Sequence, residues 1–460
     1  MKKIILFILL AAGTFILPAL VFAQAQTLSL EQARGLALQN SRSLAQSNLA
    51  IQSRLLDEKT QSYSNYPSLS LGAQAGTTLF DWKEGTSKDI LKDNLFFGAN
   101  AGVSQRLWDF DAGKTSIQKA IASLSTESAR QDALAEYYNV LNTVDSAYYA
   151  VLEAQAGLEA SENSLETANL SLSIAEIRRQ SKMLSEADYL KALADKESRE
   201  TSRNQSRRDL SIAWLKLNNI LGIKSPVELE PVDFGSFERL IQTLAKMDDT
   251  GFEKLHVRFW KSIMQRNPGL IKAGINSNAA EKSLDTAKRD YSPSLGASVS
   301  TGISYNYKNN NLDNGLKPAP VRLSLTASVP LDFWATSANI EKRKIALNQS
   351  AMNYLGAMES ADIDLQVCLL NLISNAGQIL SSSRALDYAR MNFDHVLELY
   401  RMGQGSQSAL SDAELSLRNS RNQSDRTRYS FLSALSSLRS LGAFDSGEEI
   451  KILLAELGLQ

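Results

Sequence analysis

Side chains able to do covalent or metal chemistry are scarce in this chain. It holds two histidines, His256 and His395, and one cysteine, Cys368. Zinc hydrolases need histidines at close helical spacing around a glutamate, and a thiol or hydroxyl nucleophile needs a histidine base beside it. His256 and His395 stand far apart and outside any such spacing. Cys368 lies in the apolar run Val367 to Leu370 and reads as a small core residue. Neither the phosphate-cradling G-x-x-x-x-G-K followed by Ser or Thr nor the dinucleotide G-x-G-x-x-G occurs. Paired carboxylates such as Glu448 and Glu449 read as a solvated helix face. These residues support no enzyme, no metal site and no cofactor. A formal net charge of -1 leaves no basic footprint for nucleic acid.

What the sequence does carry is patterning. Leu69, Leu71, Ala73, Ala75 and Leu79 alternate with Ser70, Gly72, Gln74, Gly76 and Thr78, and Phe97, Ala99, Ala101 and Val103 alternate with Gly98, Asn100, Gly102 and Ser104. More than two hundred residues later Leu295, Ala297, Val299 and Ile303 face away from Gly296, Ser298, Ser300 and Ser304. Val321, Leu323, Leu325, Ala327 and Val329 likewise face away from Arg322, Ser324, Thr326 and Ser328. Side chains on a strand alternate between faces, so each strand has one apolar face and one small, polar face. Strands of about ten residues with this pattern suit a membrane β-barrel, lipid outside and water inside. The spacing predicts strands over 68–80, 96–107, 294–305 and 320–331. Half-buried hairpins in a soluble domain would show the same alternation. Four strands cannot close a barrel, which needs roughly eight or more, so several copies of the chain must contribute. Phe80, Trp82, Phe96, Phe97, Trp108, Tyr305 and Phe333 fall near strand ends, where aromatic girdles sit. The polar segments Asp81 to Asp93 and Tyr307 to Lys317 read as outer loops.

The remaining segments read as an address and as helix. Lys2 and Lys3, the apolar Ile4 to Leu17, and Val21-Phe22-Ala23 form a signal peptide, 1–23, whose removal takes the charge from -1 to -3. No other window offers about 20 apolar residues, so any span must be β. No proline lies between Pro67 and Pro226, or after Pro330, and Ala, Leu, Ser, Gln and Glu dominate both intervals. A continuous helix from Lys114 to Gln180 would run roughly 100 Å at 1.5 Å per residue. Val140, Val144, Tyr148, Val151, Leu158, Leu165 and Leu170 recur at helical steps between small residues, which suits close helix packing or a coiled coil.

The two halves repeat one plan. Leu44 and Pro67-Ser68-Leu69 recur as Leu270 and Pro293-Ser294-Leu295, and the helix ends Leu221-Gly222 and Leu441-Gly442 correspond. The expected organisation is a first repeat over 24–222, a Pro- and Gly-containing connector over 223–253, a second repeat over 254–442 and a C-terminal segment over 443–460. Each repeat reads helix, strand, strand, long helix, turn, helix.

In these residues the chain resembles the TolC-type outer membrane efflux proteins over essentially its whole mature length. The marks are Leu28-Ser29-Leu30-Glu31-Gln32-Ala33, the Pro-Ser-Leu entry to each strand pair, and the exits Gln105-Arg106-Leu107-Trp108-Asp109 and Val329-Pro330-Leu331-Asp332-Phe333. The resemblance implies a mainly α fold with membrane β: a homotrimer in which each chain gives four strands to a 12-stranded barrel, continued by a long periplasmic α-barrel. It implies a passive conduit in the outer membrane lipid of a Gram-negative-type bacterium. The conduit would be engaged by a periplasmic adaptor and an inner-membrane transporter, in drug or metal efflux or in protein secretion.

The resemblance also points to contact and gate residues. Tyr400-Arg401-Met402-Gly403-Gln404-Gly405-Ser406 matches the family's tip, Tyr-x-x-Gly-x-x-Ser/Thr. The first-half tip, Arg178 to Ser185, carries Lys182 where the family has Gly, followed by Met183 and Leu184. Adaptor contact is expected at Lys182, Met183, Leu184, Ser185, Gly403, Gln404, Gly405 and Ser406. The family's gate carboxylates align with Asp188, Asp412 and Ala409, where alanine replaces one of them, with Tyr400 as a hydrogen-bond donor to Asp188. Asp188 and Asp412 also read as ordinary first-turn residues favoured by a helix dipole. Two other readings remain open on sequence. A trimeric coiled-coil adhesin would carry one terminal strand block, and an adaptor a single helical hairpin between soluble β domains.

Overall fold

The computed structural model describes residues 27–63, 66–77, 80–81, 86–87, 95–106, 113–224, 227–307, 316–328, 331–445 and 447–456. The expected signal peptide, Trp82, Trp108, most of both expected outer loops and the last four residues lie outside the described residues. The helices are α1 (Leu30–Asn40), α2 (Arg42–Tyr63), α3 (Lys114–Gln180), α4 (Glu186–Leu221), α5 (Glu238–Leu244), α6 (Asp249–Arg266), α7 (Pro268–Lys288), α8 (Phe333–Arg401), α9 (Gln407–Gly442) and α10 (Glu448–Glu456). The strands are β1 (Ser68–Thr77), β2 (Phe80–Asp81), β3 (Thr86–Ser87), β4 (Leu95–Arg106), β5 (Ser294–Tyr307), β6 (Leu316–Pro318) and β7 (Arg322–Ser328). Two compact units emerge, one of residues up to Asn40 with Ala147–Ser236, the other of Ser41–Ser146 with Phe237–Gln460. The units cut across the sequence repeats, because α3 and the connector each pass from one unit into the other.

The second unit holds the sheet, with strand order β1-β4-β5 and both β6 and β7 on the far side of β5, all antiparallel. Of the expected strand over 320–331 the described part is β7, and a further short piece, β6, precedes it, beginning in the segment read as an outer loop. Pro318 and Pro320 have no N–H to give the ladder, so regular pairing lapses over 319–321, although the Ala319 amide still donates to the Gly302 carbonyl at 2.7 Å. The expected 68–80 strand is described as β1, Ser68–Thr77, with 78–79 outside the described residues, and Phe80–Asp81 pairs with Thr86–Ser87. Register puts Leu71, Ala101, Thr301 and their even-spaced neighbours on one face, and Ser70, Gly102, Ser300 and Arg322 on the other. On the polar face glycine on one strand makes room for a larger partner. A Cβ at Gly72 would come within 2.7 Å of Asn100 Oδ1, and one at Gly76 within 2.6 Å of the Phe96 ring. Among the described residues nothing covers the apolar face: Leu71 is 80% exposed, Leu323 77% and Leu325 68%.

The helices of this unit have an ordinary core. Leu365, Leu369 and Leu372 of α8 are fully buried, as are Phe431 and Leu438 of α9 and Phe259 of α6. Phe259 meets Phe444 edge-on at 5.7 Å, and Phe237 meets Phe431 at 6.5 Å. Asp145 of α3 is buried with Arg439 of α9, which donates to its carboxylate, as does the Ser436 hydroxyl. His256 lies 2.8 Å from the Asp362 carboxylate, tying α6 to α8, and Cys368 is buried with its thiol toward the Ala434 carbonyl. Burial, with Asp364 nearby, pushes that thiol up to about 12, so it is inert packing. Against expectation, α8 contains an 18-residue stretch apolar enough, by composition alone, to cross a membrane. Part of its apolar surface is the seam against α7 and α9.

Asparagines clamp the helix ends in both repeats. Asn267 accepts from the Leu270 amide at 3.0 Å, capping α7, while its Nδ2 donates to the Leu441 carbonyl at 2.8 Å. In the first repeat the same two bonds are divided between neighbours, with Ser41 accepting from Leu44 at 3.2 Å and Asn40 donating to Leu221 at 2.6 Å. The expected helix end Leu441-Gly442 shifts by one. Gly442 stays helical because its missing Cβ leaves room for the Phe444 ring, and Ala443 takes the left-handed turn at φ 48°.

The two faces make different demands on a substitution. Leu325→Arg should cost about 2–4 kcal/mol of membrane assembly if it lies near the bilayer midplane, whereas Ser324→Arg should be tolerated. Heat-modifiable trimer bands from membrane fractions measure this, and equal loss for both variants would refute the assignment of the faces.

Candidate functional site

Two surfaces remain after the core is accounted for: the polar face of the sheet and the turns joining the long helices. The turns close two hairpins, α3–α4 in the first unit and α8–α9 in the second, by one scheme. In the first, the Lys182 amide donates to the Arg179 carbonyl at 2.9 Å and Met183 to Arg178 at 2.8 Å. In the second, Gly403 donates to Tyr400 at 3.1 Å and Gln404 to Leu399 at 2.9 Å. These are matched Schellman motifs, which need a left-handed residue at the first donor. Gly403 supplies it at φ 84°, and Lys182 supplies it at φ 54°. The departure at Lys182 therefore leaves the backbone path unchanged and loads it with strain of roughly 1 kcal/mol that glycine would not bear.

The next helix of each hairpin starts identically. Ser185 accepts from the Asp188 amide at 3.1 Å, and Ser406 from the Ala409 amide at 3.2 Å. Ser185 also donates to the Asp188 carboxylate at 2.7 Å, a reciprocal cap that occupies one of the expected gate carboxylates with helix initiation. Arg179 braces this tip, 2.8 Å from Glu186 and over the Tyr189 ring at 4.3 Å. Met183 is 80% exposed, but Leu184, expected to be exposed, is half-buried. Met402 is exposed at the second turn. Gly405 has a role the sequence did not disclose: a Cβ there would lie 3.0 Å from the Tyr400 amide nitrogen, so the loop folds back on the end of α8. Tyr400 is 1% exposed, while Asp188, Ala409 and Asp412 all face solvent. Among the described residues no group of acidic, histidine or cysteine side chains could hold a metal ion. Nothing in the sequence marked Arg179 as a brace, since its partners lie seven and ten residues on across a turn.

Replacing Lys182 with Gly should remove the left-handed penalty and slow hydrogen exchange of the Met183 amide several-fold. Gly403→Ala should speed exchange at Gln404 by about the same factor, for a shift near 1 kcal/mol in each. Exchange read by mass spectrometry checks both. Unchanged protection in both variants would mean that these amides are not held by the turn.

Residues 33–223 and 260–443 match the outer membrane efflux protein family model. No curated protein matches the chain. Solved structures do. CusC, described in terms of transmembrane channel formation, is 18% identical over 94% of this chain and 99% of its own, with a TM-score of 0.72. The CmeC outer membrane channel of Campylobacter jejuni is 16% identical over 93% and 89%, at 0.70. The outer membrane protein VceC of Vibrio cholerae is 15% identical over 90% and 96%, at 0.69. At such identities the likeness shows shared fold. With the family match in two blocks around the connector, the chain belongs to the outer membrane efflux protein family.

Proposed function

We propose that three copies of this chain form a passive exit duct through the outer membrane, its β-barrel closed by pairing each β7 edge with the β1 edge of the next copy. The single observation that carries this is the uncovered apolar face of the sheet, from Leu69 and Leu71 to Leu323 and Leu325. In water that face would be a liability, and lipid is the solvent that removes it. Family membership sets the class, an outer-membrane efflux channel.

The finer assignments are ours. The hairpin turns receive a periplasmic adaptor, with Lys182, Met183, Leu184 and Ser185 contributing on one and Gly403, Gln404, Gly405 and Ser406 on the other. An inner-membrane transporter loads the duct through that adaptor. Exposed Met183 and Met402 support this, since flexible apolar side chains at the end of a hairpin suit a covering partner. For the gate, Asp412 is the stronger residue, because it is exposed and unused by the cap, whereas Asp188 is engaged by Ser185. Three Asp412 carboxylates on one axis would repel each other and attract cations.

Two experiments test these readings. Purified protein in planar bilayers should form an ohmic pore with no energy source, and Asp412→Asn should weaken block by divalent cations several-fold. Photo-cross-linking from position 183 should capture the adaptor in cells. A bilayer with no pore would sink the duct, and adaptor capture only from the 81–93 segment would reverse the orientation.

A further inference from the structure

The polar face of the sheet carries charge of one sign. Gly296, Ser300 and Ser304 of β5 stand opposite Arg106 of β4, Arg322 of β7 and Lys317 of β6. The steps of four residues are even, so all three basic positions fall on the same face, at levels about 13 Å apart for a rise of ~3.3 Å per residue. Neither aspartate nor glutamate occurs anywhere in β1, β4, β5, β6 or β7. The rest of that face is Ser, Thr, Gly, Asn and Gln, with Phe96 at one end. Arg322 is exposed at the middle level and makes no ion pair with any described residue. A guanidinium stays charged at any pH the protein meets.

We propose that the barrel lumen is an anion-preferring passage, in which Arg322 at mid-height favours carboxylate-, sulfonate- or phosphate-bearing solutes over cations. This rests on the reading that the polar face lines the lumen of the duct. The physical basis is the low-dielectric wall. A water-filled channel a few side chains wide, bounded by lipid, focuses the field of like charges on its surface. Three copies repeat the Arg322 level around the axis, and no acidic residue of the same strands offsets it. The preference belongs to the barrel and is separate from any cation-attracting carboxylates on α9, so overall ion selectivity would mix the two. A local probe is required.

The local probe is the thiol of Ser324→Cys, two residues from Arg322 on the same face. The assembled channel in planar bilayers is exposed to the anionic sulfonatoethyl and the cationic trimethylammonioethyl methanethiosulfonates. Each rate of conductance loss is divided by that reagent's rate with a free thiol. Cys368 is buried and its thiol is pushed up to about 12, so the unsubstituted channel serves as the silent control. The anionic reagent should win by roughly tenfold, the advantage should collapse several-fold with Arg322→Gln added, and Arg322→Lys should restore it. Equal corrected rates, or a ratio that Arg322→Gln leaves unchanged, would overturn the proposal while leaving the duct intact. A thiol that neither reagent reaches would place position 324 outside the lumen and overturn both.

Discussion

Everything in this molecule depends on a sheet that, among the described residues, has no protein on either face and an open strand at either edge. A soluble protein resolves such a sheet by packing helices on it. Here the long helices pack on one another, with Leu365, Leu369 and Leu372 facing other helices, and the strands are left bare. Burying one large aliphatic side chain contributes about 1.5–3 kcal/mol, so the exposed run from Leu69 to Leu325 would forfeit many such contributions in water. Lipid recovers them on one face, water solvates the other, and only another copy can satisfy the edges. Membrane insertion and oligomerisation are therefore one requirement.

The helical part solves a different problem, which is how to reverse two helices, of 67 and 69 residues, in one chain without a long loop. Both reversals use a Schellman end followed at once by a serine cap, leaving few backbone donors for solvent or a partner to satisfy. The tip can then vary in side chains while its path stays fixed, which is how lysine stands where glycine would cost less. The asparagine clamps at the opposite helix ends follow the same logic, with one residue in the second repeat doing what two do in the first.

Much of this was legible in the sequence, for physical reasons. Period-two alternation survives because each face meets a different solvent, so β1, β4 and β5 could be placed to within a few residues. The long helix from Lys114 to Gln180 was visible because nothing in it breaks a helix. Two features were harder. The alternation read from Val321 onward gave no hint of β6, which Pro318 and Pro320 set apart from β7. The left-handed turn after α9 falls on Ala443 because Gly442 is needed beneath Phe444, a contact no local rule announces. The buried Asp145 and Arg439 lie 294 residues apart, and nothing short-range marks either as a partner. At the tips the turn residues were readable, but the engagement of Asp188 with Ser185 and the folding of Gly405 onto α8 appear only in three dimensions.

The most direct measurement is disulfide formation across the proposed seam between copies. Cysteines are placed in pairs, one along β1 at positions 68, 70 or 72 and one along β7 at 324, 326 or 328, and the membranes are oxidised and run without reductant. At least one register should yield covalent species that stop at three chains, with heat-stable conductance unchanged. Cross-links that stop at two chains, continue past three, or fail at every register while the protein remains in the outer membrane would contradict a barrel closed by three copies.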